Sequence, residues 1–361
     1  WENTKYGMII ISNILLLYKF IMKDMKNTKE KIIEKETTKT LDCKKIAEEI
    51  IAGRRLNKED NLEGLLTCDL TALCEGADQI RKYFCGDKVD LCTIINGRSG
   101  RCSEDCKYCA QSAHHHTDCE EYDFLDEDAI VNEAKNNESE AVDRFSIVTA
   151  GRVLDGEDFE KALHAYERMN RECKISLCAS HGLLSAEQFH RLHEAGVESY
   201  HANIETSRNY FPQICTTHSF DQKIETIRRA QAEGMCVCSG GIIGMGESWQ
   251  DRIDMALTLA ELGIDSIPIN ALMPIPGTPL EHLPRISRED ILRTIAIFRY
   301  INPEANIRLA AGRALLHNAG EDAFQSGASA SITGNMLTTS GTTIVSDRQM
   351  LQEMGREVIE L

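Results

Sequence analysis

Three cysteines stand close together in one short segment of this 361-residue chain, Cys102-Ser103-Glu104-Asp105-Cys106-Lys107-Tyr108-Cys109. Thiolates at this spacing can hold three corners of a cubic 4Fe–4S cluster from one loop, because a thiolate is a soft, anionic donor to iron. The fourth iron then lacks a protein ligand, which leaves one coordination position open for a small molecule, as in catalytic zinc sites. The segment therefore predicts an iron–sulfur cluster with one open iron.

Zinc is the main alternative for this cysteine segment, and unrelated thiols are another. A structural zinc site normally shows a second pair of cysteines or histidines at short spacing, and such groups follow nearby at His114, His115, His116 and Cys119. The segment comes directly after the first predicted strand of a barrel, and this position favours the cluster over zinc.

Further polar or glycine-rich segments follow the predicted strands. Alternation with period two would place His201, Asn203 and Glu205 on one face, where inward polar groups suit ligand binding better than packing. Residues 240–247 form a glycine-rich turn, which is either a ligand-binding wall or a tight strand-to-helix connection. Asn270 ends another strand, where a ligand or a backbone cap would each use its paired donor and acceptor.

The elements that must position these groups alternate along the chain. Predicted helices precede the first strand, one of them opening near Leu56. The predicted strands are 89–95, 144–149, 175–179, 198–204, 235–239, 266–271, 307–310 and 328–332. The predicted helices between them are 126–137, 158–171, 185–195, 220–233, 248–262 and 288–300. Eight strands with intervening helices predict a (β/α)₈ TIM-type barrel of the α/β class; an open doubly wound sheet stays the alternative.

Composition excludes several classes of protein. The net charge of −17 argues against binding to nucleic acid or to an anionic membrane, and 42% apolar residues support a large core. Fourteen cysteines in a chain without a convincing export signal indicate ligands, buried thiols or reactive thiols of a reducing cytoplasm. Residues 1–40 contain an apolar stretch too short for a membrane span. We interpret them as an extension without chemistry, with disorder as an open alternative, and 41–361 as the barrel domain.

The cysteine segment, with an aromatic residue before its last cysteine, resembles the radical S-adenosylmethionine (SAM) superfamily. Over residues 42–355 the chain resembles, within that superfamily, the biotin synthase family. The resemblance is carried by CKYCAQS (106–112), CSGGIIGMGE (238–247), SIPIN (266–270), GTPLE (277–281) and IRLAAGR (307–313). It also implies that about 270–355 form the biotin/thiamin-synthesis-associated part.

This resemblance implies a 4Fe–4S cluster on Cys102, Cys106 and Cys109 whose open iron binds SAM. The positions that match SAM-binding residues of the family are Tyr108, Asn203, Glu205, Gly241 and Ile243. Asn270 matches the residue that binds the cyclic urea of dethiobiotin, with Asn203 also at the substrate. The sequence departs from the family at His201 and Ala202, and has Glu205 where Asp is common.

The resemblance also implies an auxiliary iron–sulfur cluster deeper in the barrel, held by three cysteines and one arginine. Cys178, Cys238 and Arg308 match three of these positions, while Ser146 stands where the family has its remaining cysteine. Serine is a harder and less acidic donor, so either Ser146 ligates weakly or not at all and Cys215 replaces it, or the cluster differs from the usual 2Fe–2S type. Cys236, two residues before Cys238 and on the same face of the strand, is a weaker candidate. A buried salt bridge to another strand is the structural alternative for Arg308.

The implied reaction is sulfur insertion into dethiobiotin, in two hydrogen abstractions by a 5′-deoxyadenosyl radical, with sulfur from the auxiliary cluster. The implied partners are an electron donor such as flavodoxin or ferredoxin, the iron–sulfur assembly machinery and a second copy in a homodimer. No nucleic acid or membrane is expected. The alternatives are another radical SAM enzyme, similar to methylornithine synthase or a hydrogenase-maturation protein, and a non-catalytic iron–sulfur or zinc-binding module.

Overall fold

The computed structural model describes residues 41–334 and 341–358, so the predicted extension 1–40 lies outside the described residues. From Cys43 onward, the described residues form one compact unit. Its centre is a parallel sheet of ten strands. They are β1 (Lys88–Arg98), β2 (Arg144–Thr149), β3 (Ser176–Ser180), β4 (Ser199–His201), β5 (Cys236–Cys238), β6 (Gly241–Ile243), β7 (Ser266–Ala271), β8 (Asn306–Leu309), β9 (Ala330–Ile332) and β10 (Glu357–Val358).

The sheet closes into an eight-position barrel. Neighbouring strands pair in the order β1-β2-β3-β4-β5-β7-β8-β9, and β9 returns to β1 by pairing Asp90 with Ala330 and Cys92 with Ile332. β6 shares the position of β5, since both pair with β7. The predicted closed (β/α)₈ barrel is therefore confirmed, and the open-sheet alternative is wrong.

The break between β5 and β6 has a local cause. It lies beside Pro268 of β7, which has no N–H to donate to the ladder. The chain approaches that strand so closely that a Cβ on Gly240 would lie 2.0 Å from the carbonyl oxygen of Pro268. The glycine-rich segment predicted as a turn thus contains a short strand, Gly241–Ile243.

Helices surround the barrel. They are α1 (Cys43–Ile51), α2 (Glu63–Thr67), α3 (Leu70–Cys85), α4 (Glu127–Ser139), α5 (Gly156–Glu172), α6 (Ala186–Glu194), α7 (Phe211–Ile214), α8 (Phe220–Ala232), α9 (Trp249–Glu261), α10 (Arg288–Ile301), α11 (Glu321–Phe324) and α12 (Ile344–Glu353). Serine caps begin several of them: Ser185 and Ser219 each form a reciprocal capping box with a glutamine three residues on.

The boundaries of most predicted elements lie within a few residues of the observed ones. The helix predicted to open near Leu56 is different, because Asp60 accepts a hydrogen bond from the Asn57 N–H and the chain turns there. The helix instead begins at Glu63. No helix among the described residues is both long enough and apolar enough to span a bilayer.

Both ends of the described chain pack against the barrel. The hydroxyl of Tyr300 in α10 donates a hydrogen bond to the Cys43 carbonyl in α1. At the other end, β10 pairs in parallel with the start of β1, and Asp347 of α12 accepts two hydrogen bonds of 2.7 Å from Arg313. These contacts hold the C-terminal segment beside the strands that carry the site.

Candidate functional site

The loop after β1 is held by its own backbone. The Cys102 N–H donates to the Gln111 carbonyl at 2.9 Å, and the Ala113 N–H donates to the Cys102 carbonyl at 2.8 Å. The Cys109 N–H donates to the Cys106 carbonyl at 2.9 Å. These bonds fold the three-cysteine segment back on itself at the carboxyl end of the barrel, where catalytic groups of such barrels lie.

One thiol of this loop contacts a cysteine from elsewhere in the chain. The sulfur of Cys215, which follows α7, lies 3.7 Å from the sulfur of Cys106 and 3.2 Å from Nδ1 of His218. The nearby Cys106 thiol and the hydrogen bond to His218 lower the pKa of Cys215 to about 4, although burial acts in the opposite direction. Burial and the Cys215 neighbour raise the pKa of Cys106.

The segment that carries Cys215 is firmly docked on the cysteine loop. Oε2 of Glu104 lies 2.5 Å from Nδ1 of His218, and both side chains are buried. The carboxylate of Asp105 accepts hydrogen bonds from the backbone N–H groups of Thr216 and Thr217 at 2.8 and 3.2 Å. These bonds overcome the effect of burial and lower the pKa of Asp105.

Below the loop, the barrel encloses a cavity of about 570 Å³ instead of a solid core. Inward side chains of alternate residues line it, as the pleat of each strand requires. Its polar and sulfur-bearing lining is Asp90, Cys92, Cys102, Tyr108, Cys109, Gln111, Arg144, Ser146, Thr149, Cys178, Ser180, Ser199, His201, Asn203, Glu205, Cys236, Cys238, Asp265, Ser266, Asn270, Asn306 and Arg308.

Two predicted auxiliary-cluster cysteines face this cavity from β3 and β5. Burial and the neighbouring Cys238 raise the pKa of the Cys178 thiol to about 11. Burial also raises that of Cys238, but His201 and Arg308 outweigh it and lower the pKa to about 7. His201 and Cys238 are register partners, so the strand pairing sets this contact.

Ser146 faces the cavity beside Cys178, with which it is paired in register. Its hydroxyl has no hydrogen-bonding partner among the described residues. It lies close enough to the Cys178 thiol to lower the pKa of that thiol, against the effect of burial. A buried hydroxyl is normally satisfied. This position therefore keeps its polar atom directed at the cavity.

The structure does not bring Cys215 to the auxiliary site. Its sulfur lies beside Cys106 and His218, and among the described residues it is absent from the lining of the cavity that contains Cys178 and Cys238. Docking of residues 215–218 on Glu104 and Asp105 fixes this position. This placement corrects the prediction that Cys215 replaces the missing cysteine.

Arg308 points into the barrel from β8 and is nearly fully buried. Its guanidinium donates to Oδ1 of Asp90 at 2.6 Å, to Oγ of Ser266 at 3.1 Å and to two backbone carbonyls. Burial alone would lower its pKa, but Asp90 and the thiols of Cys92 and Cys238 raise it. The salt bridge to another strand thus exists, and these contacts leave one N–H of Nη2 without an acceptor among the described residues.

Glu205 and Gly241 meet at the mouth of the cavity. Glu205 adopts a left-handed backbone with φ of 70°, and its carbonyl accepts the Ile242 N–H at 2.9 Å. A Cβ on Gly241 would lie 2.2 Å from that carbonyl oxygen. Oε2 of Glu205 is buried and has no hydrogen-bonding partner among the described residues. Burial and the adjacent Glu205 raise the pKa of Tyr108.

The two predicted asparagines line the cavity, and each uses part of its side-chain amide in hydrogen bonds to the backbone. Oδ1 of Asn203 accepts the Gly240 N–H at 3.0 Å. Nδ2 of Asn270 donates to the Gly241 carbonyl, and its Oδ1 accepts the Ala311 N–H, both at 3.1 Å. One donor and one acceptor site of the Asn270 amide remain for a ligand, and its orientation is fixed.

Two details of the predicted SAM-binding set differ in the structure. Strand alternation in β6 directs Ile242 into the cavity and Ile243 away from it, so Ile242 is the lining residue. The predicted strand through Glu205 ends at His201, yet His201, Asn203 and Glu205 still reach one cavity. The left-handed turn at Glu205, which alternation does not predict, brings this about.

Several lining residues went unnoticed in the sequence, among them Asp90, Cys92 and Arg144. The first two alternate with buried apolar residues of β1, and Arg144 opens β2. Their signal was the period-two placement of polar side chains inside predicted strands. It would have assigned them to the barrel interior.

The donor chemistry fits two iron–sulfur groups. The loop offers Cys102 and Cys109 at the cavity mouth, with Cys106 beside Cys215, and the cavity below offers four more thiols near the buried Arg308 and the half-buried Arg144. The unpartnered Ser146 hydroxyl and Glu205 carboxylate oxygen face the same space. Soft thiolates near buried positive charge are suited to anionic clusters, which burial without such charge would disfavour.

A closed parallel barrel with this cysteine loop after its first strand defines a radical SAM enzyme. In agreement, the sequence pattern of the Radical SAM superfamily matches residues 98–259, and that of the Biotin and Thiamin Synthesis associated domain matches 268–357.

Curated relatives identify the family more closely. The biotin synthase of Clostridium beijerinckii is 64% identical over 311 residues, covering 86% of this chain and 98% of the relative. That of Brachyspira hyodysenteriae is 48% identical over 327 residues, covering 91% and 97%. The chain therefore belongs to the biotin synthase family, and membership implies a 4Fe–4S cluster, SAM and an auxiliary iron–sulfur cluster.

Solved structures support the fold. A methylornithine synthase superposes with a TM-score of 0.75 at 20% identity, covering 87% of this chain and 97% of that protein. HydG, a maturase of the [FeFe]-hydrogenase, superposes with a TM-score of 0.75 at 16% identity, covering 93% and 80%. At these identities the likeness concerns the fold alone.

Proposed function

We propose that this enzyme converts dethiobiotin to biotin by two hydrogen abstractions, with sulfur taken from the auxiliary iron–sulfur cluster. The observation that carries the proposal is the single cavity that joins the cysteine loop to the deeper thiols and Arg308. When bound, SAM and the two clusters supply the 5′-deoxyadenosyl radical and the sulfur atom. The chain itself supplies position, charge and exclusion of water.

Within this proposal, Cys102, Cys106 and Cys109 hold the first cluster. Cys178, Cys238 and Arg308 surround the auxiliary cluster, with Ser146 facing it as a weak donor or none. The low pKa of Cys238 beside His201 and Arg308 supports its role, because a ligand thiolate is already favoured there. Arg308 also balances the negative charge of the thiolates.

The SAM site is proposed at the cavity mouth, where Tyr108, Asn203 and Glu205 lie near the backbone of Gly241. Glu205 offers a free carboxylate oxygen, which suits the hydroxyl groups of a ribose. Ile242, rather than Ile243, provides the apolar wall for the adenine ring. The fixed turn at Glu205 keeps this carboxylate in place without rearrangement.

Asn270 is proposed to orient the cyclic urea of dethiobiotin, with Asn203 beside it. Hydrogen bonds to the Gly241 carbonyl and the Ala311 N–H fix the Asn270 amide, so its free donor and acceptor point in set directions. A urea offers the complementary acceptor and donor. Such positioning would orient the substrate in the cavity that joins the cysteine loop to the deeper thiols.

The remaining expectations rest on the family. We propose an electron donor such as flavodoxin or ferredoxin, loading by the iron–sulfur assembly machinery, a homodimer and a cytoplasmic location. Residues 41–361 are proposed to be the catalytic domain and 1–40 an extension without chemistry. The chain's net negative charge agrees with the expected absence of nucleic-acid binding.

Anaerobic turnover with SAM, reductant and dethiobiotin tests the function, after reconstitution with iron and sulfide. We expect 5′-deoxyadenosine and biotin together. Cys109→Ala should yield neither product, whereas Cys119→Ala, a change at a neighbouring loop cysteine outside the proposed ligand set, should yield both. Deoxyadenosine without biotin would indicate another radical SAM reaction; neither product, with SAM bound and the first cluster intact, would contradict the proposal.

A further inference from the structure

The auxiliary site has one thiolate fewer than its family pattern requires, because Ser146 occupies a cysteine position and Cys215 lies elsewhere. We propose that Cys92 of β1 is the missing thiolate ligand of the auxiliary cluster, together with Cys178 and Cys238. This inference rests on the auxiliary cluster of the proposed function. The proposed ligand Cys92 lies on β1, whereas Ser146, at the position of the missing cysteine, lies on β2.

The pleat of β1 directs Cys92 into the barrel. Asp90, Cys92 and Ile94 all line the cavity, as every second residue of one strand should. Ile94 is the register partner of Ser146, so Cys92 lies one pleat below the serine, about 6.6 Å along the neighbouring strand. A cluster reaching Cys92 would therefore lie deeper than one held at position 146.

Two arginines lie beside the Cys92 thiol, and they oppose the effect of burial, which raises its pKa to about 12. Arg144 is its register partner on β2, and Arg308 projects from β8 into the same space. Both guanidinium groups bind the carboxylate of Asp90, Arg308 at 2.6 Å and Arg144 at 3.3 Å. Two arginines thus share one carboxylate there, and a thiolate ligand would lie beside them.

The depth of Cys92 also agrees with a cluster ligand. The residue is 7% exposed, and within the described part of the chain its thiol donates a hydrogen bond to the carbonyl of Thr93 at 3.5 Å. After burial, Arg308 and the Cys178 thiol have the largest effects on the pKa of Cys92. Cys92 and Cys178 therefore line the same cavity, on the two strands that flank the strand of Ser146.

Cys236 is the competing cysteine, and its surroundings are less favourable. It also lines the cavity but is exposed, at the amino end of β5. The carboxylates of Asp265 and Glu198 are charged neighbours of its thiol. Acidic neighbours and solvent disfavour a cluster thiolate at this position. Cys236 thus provides a matched control, being another cavity cysteine outside the proposed ligand set.

The test isolates the auxiliary cluster in the full-length protein. Cys102, Cys106 and Cys109 are changed together to alanine, so that reconstituted iron reports the auxiliary site. Iron and sulfide per chain and the ⁵⁷Fe Mössbauer spectrum are then compared after adding Cys92→Ser, Cys92→Ala or Cys236→Ser. Circular dichroism and Tm establish that each variant is folded.

We expect Cys92→Ala to lose the auxiliary iron and sulfide. Cys92→Ser should lose them too or give a changed Mössbauer spectrum, because serine is a poor donor to iron. Cys236→Ser should retain both the content and the spectrum. Since serine nearly preserves the volume of cysteine, Cys92→Ser keeps the test valid should the alanine variant unfold. A Cys92→Ser protein with unchanged iron and spectrum would overturn the assignment.

A second arm separates this inference from the proposed function. With the first cluster intact, Cys92→Ser should still form 5′-deoxyadenosine but lose biotin, and adding Ser146→Cys should restore auxiliary iron. A wild-type enzyme that forms no biotin would refute the function, whereas the iron and Mössbauer results would still decide the role of Cys92. Full biotin formation by Cys92→Ser would count against the ligand.

Discussion

At the scale of single residues, the mouth of the cavity depends on one close backbone approach. Gly241 lacks the Cβ that would lie 2.2 Å from the carbonyl oxygen of Glu205 and 2.5 Å from the sulfur of Met255. The same carbonyl accepts the Ile242 N–H, so the turn that carries Glu205 is fixed to β6. The side chain at position 241 therefore decides where the proposed ribose ligand lies.

Gly241→Ala should weaken SAM binding, since the added methyl group would push the Glu205 turn away from β6. Overpacking of this kind costs about 1–3 kcal/mol in the free energy of unfolding. Calorimetric titration of SAM into the cluster-loaded enzyme measures the first effect and urea unfolding the second. Gly263→Ala is the control for SAM affinity, because a Cβ there meets open space. Its φ of 63° strains an alanine and should cost about 1–2 kcal/mol in the free energy of unfolding, but SAM affinity should stay unchanged. Wild-type affinity in Gly241→Ala would contradict this account.

At the scale of elements, a buried polar network joins three strands and a helix just outside the cavity. His181, at the end of β3, lies 3.0 Å from Oγ1 of Thr149 in β2 and 2.9 Å from the hydroxyl of Tyr166 in α5. The backbone N–H of His181 donates a hydrogen bond to the hydroxyl of Tyr200 in β4 at 3.1 Å. The network ties the carboxyl ends of these strands together.

Burial, with a small contribution from Arg98, lowers the pKa of His181 from 6.5 to about 3. The neutral ring therefore stabilises the fold fully above pH 6.5, and this contribution is lost as pH falls towards 3. The loss amounts to about 1.4 kcal/mol per pH unit within that window.

His181→Gln should lower stability at pH 7.5, and its difference from wild type should narrow as pH falls below 6.5. Urea unfolding of the cluster-free protein across pH 4.5–7.5 gives this difference directly. His193→Gln, at an exposed histidine in α6, should show a nearly constant difference. If the stability difference between His181→Gln and wild type stayed constant with pH, His181 would not have the lowered pKa described above.

At the scale of the whole molecule, the barrel closes through its C-terminal segment. Arg313 follows β8 and makes a bidentate, buried ion pair with Asp347 of α12, while β10 pairs with β1 at the opposite side of the closure. Arg313 also donates to the carbonyls of Ala319 and Ile332. The ion pair thus connects α12 with the end of β9 and with the segment that follows β8.

Asp347→Asn should lower the free energy of unfolding by about 3–5 kcal/mol, because it leaves a buried guanidinium without its carboxylate. Chemical denaturation of the reconstituted enzyme measures this loss. Glu160→Gln removes one partner of the exposed pair with Arg191 and should change little. Equal effects of the two substitutions would show that the buried pair does not hold the closure.

The sequence by itself determined the repeating strands and helices, the cysteine loop and the family resemblance, because local periodicity and spacing carry these features. The pairing of β9 with β1 closes the barrel, and no local sequence pattern contains this long-range pairing. Only the tertiary structure placed Cys215 beside Cys106 and Cys92 inside the cavity with Cys178. Strand register decides the position of Cys92, and docking of residues 215–218 on the cysteine loop decides that of Cys215; both join segments distant in the chain. Arg308 had a clear sequence signal, but its partner Asp90 became evident only when β1 and β8 faced the same interior.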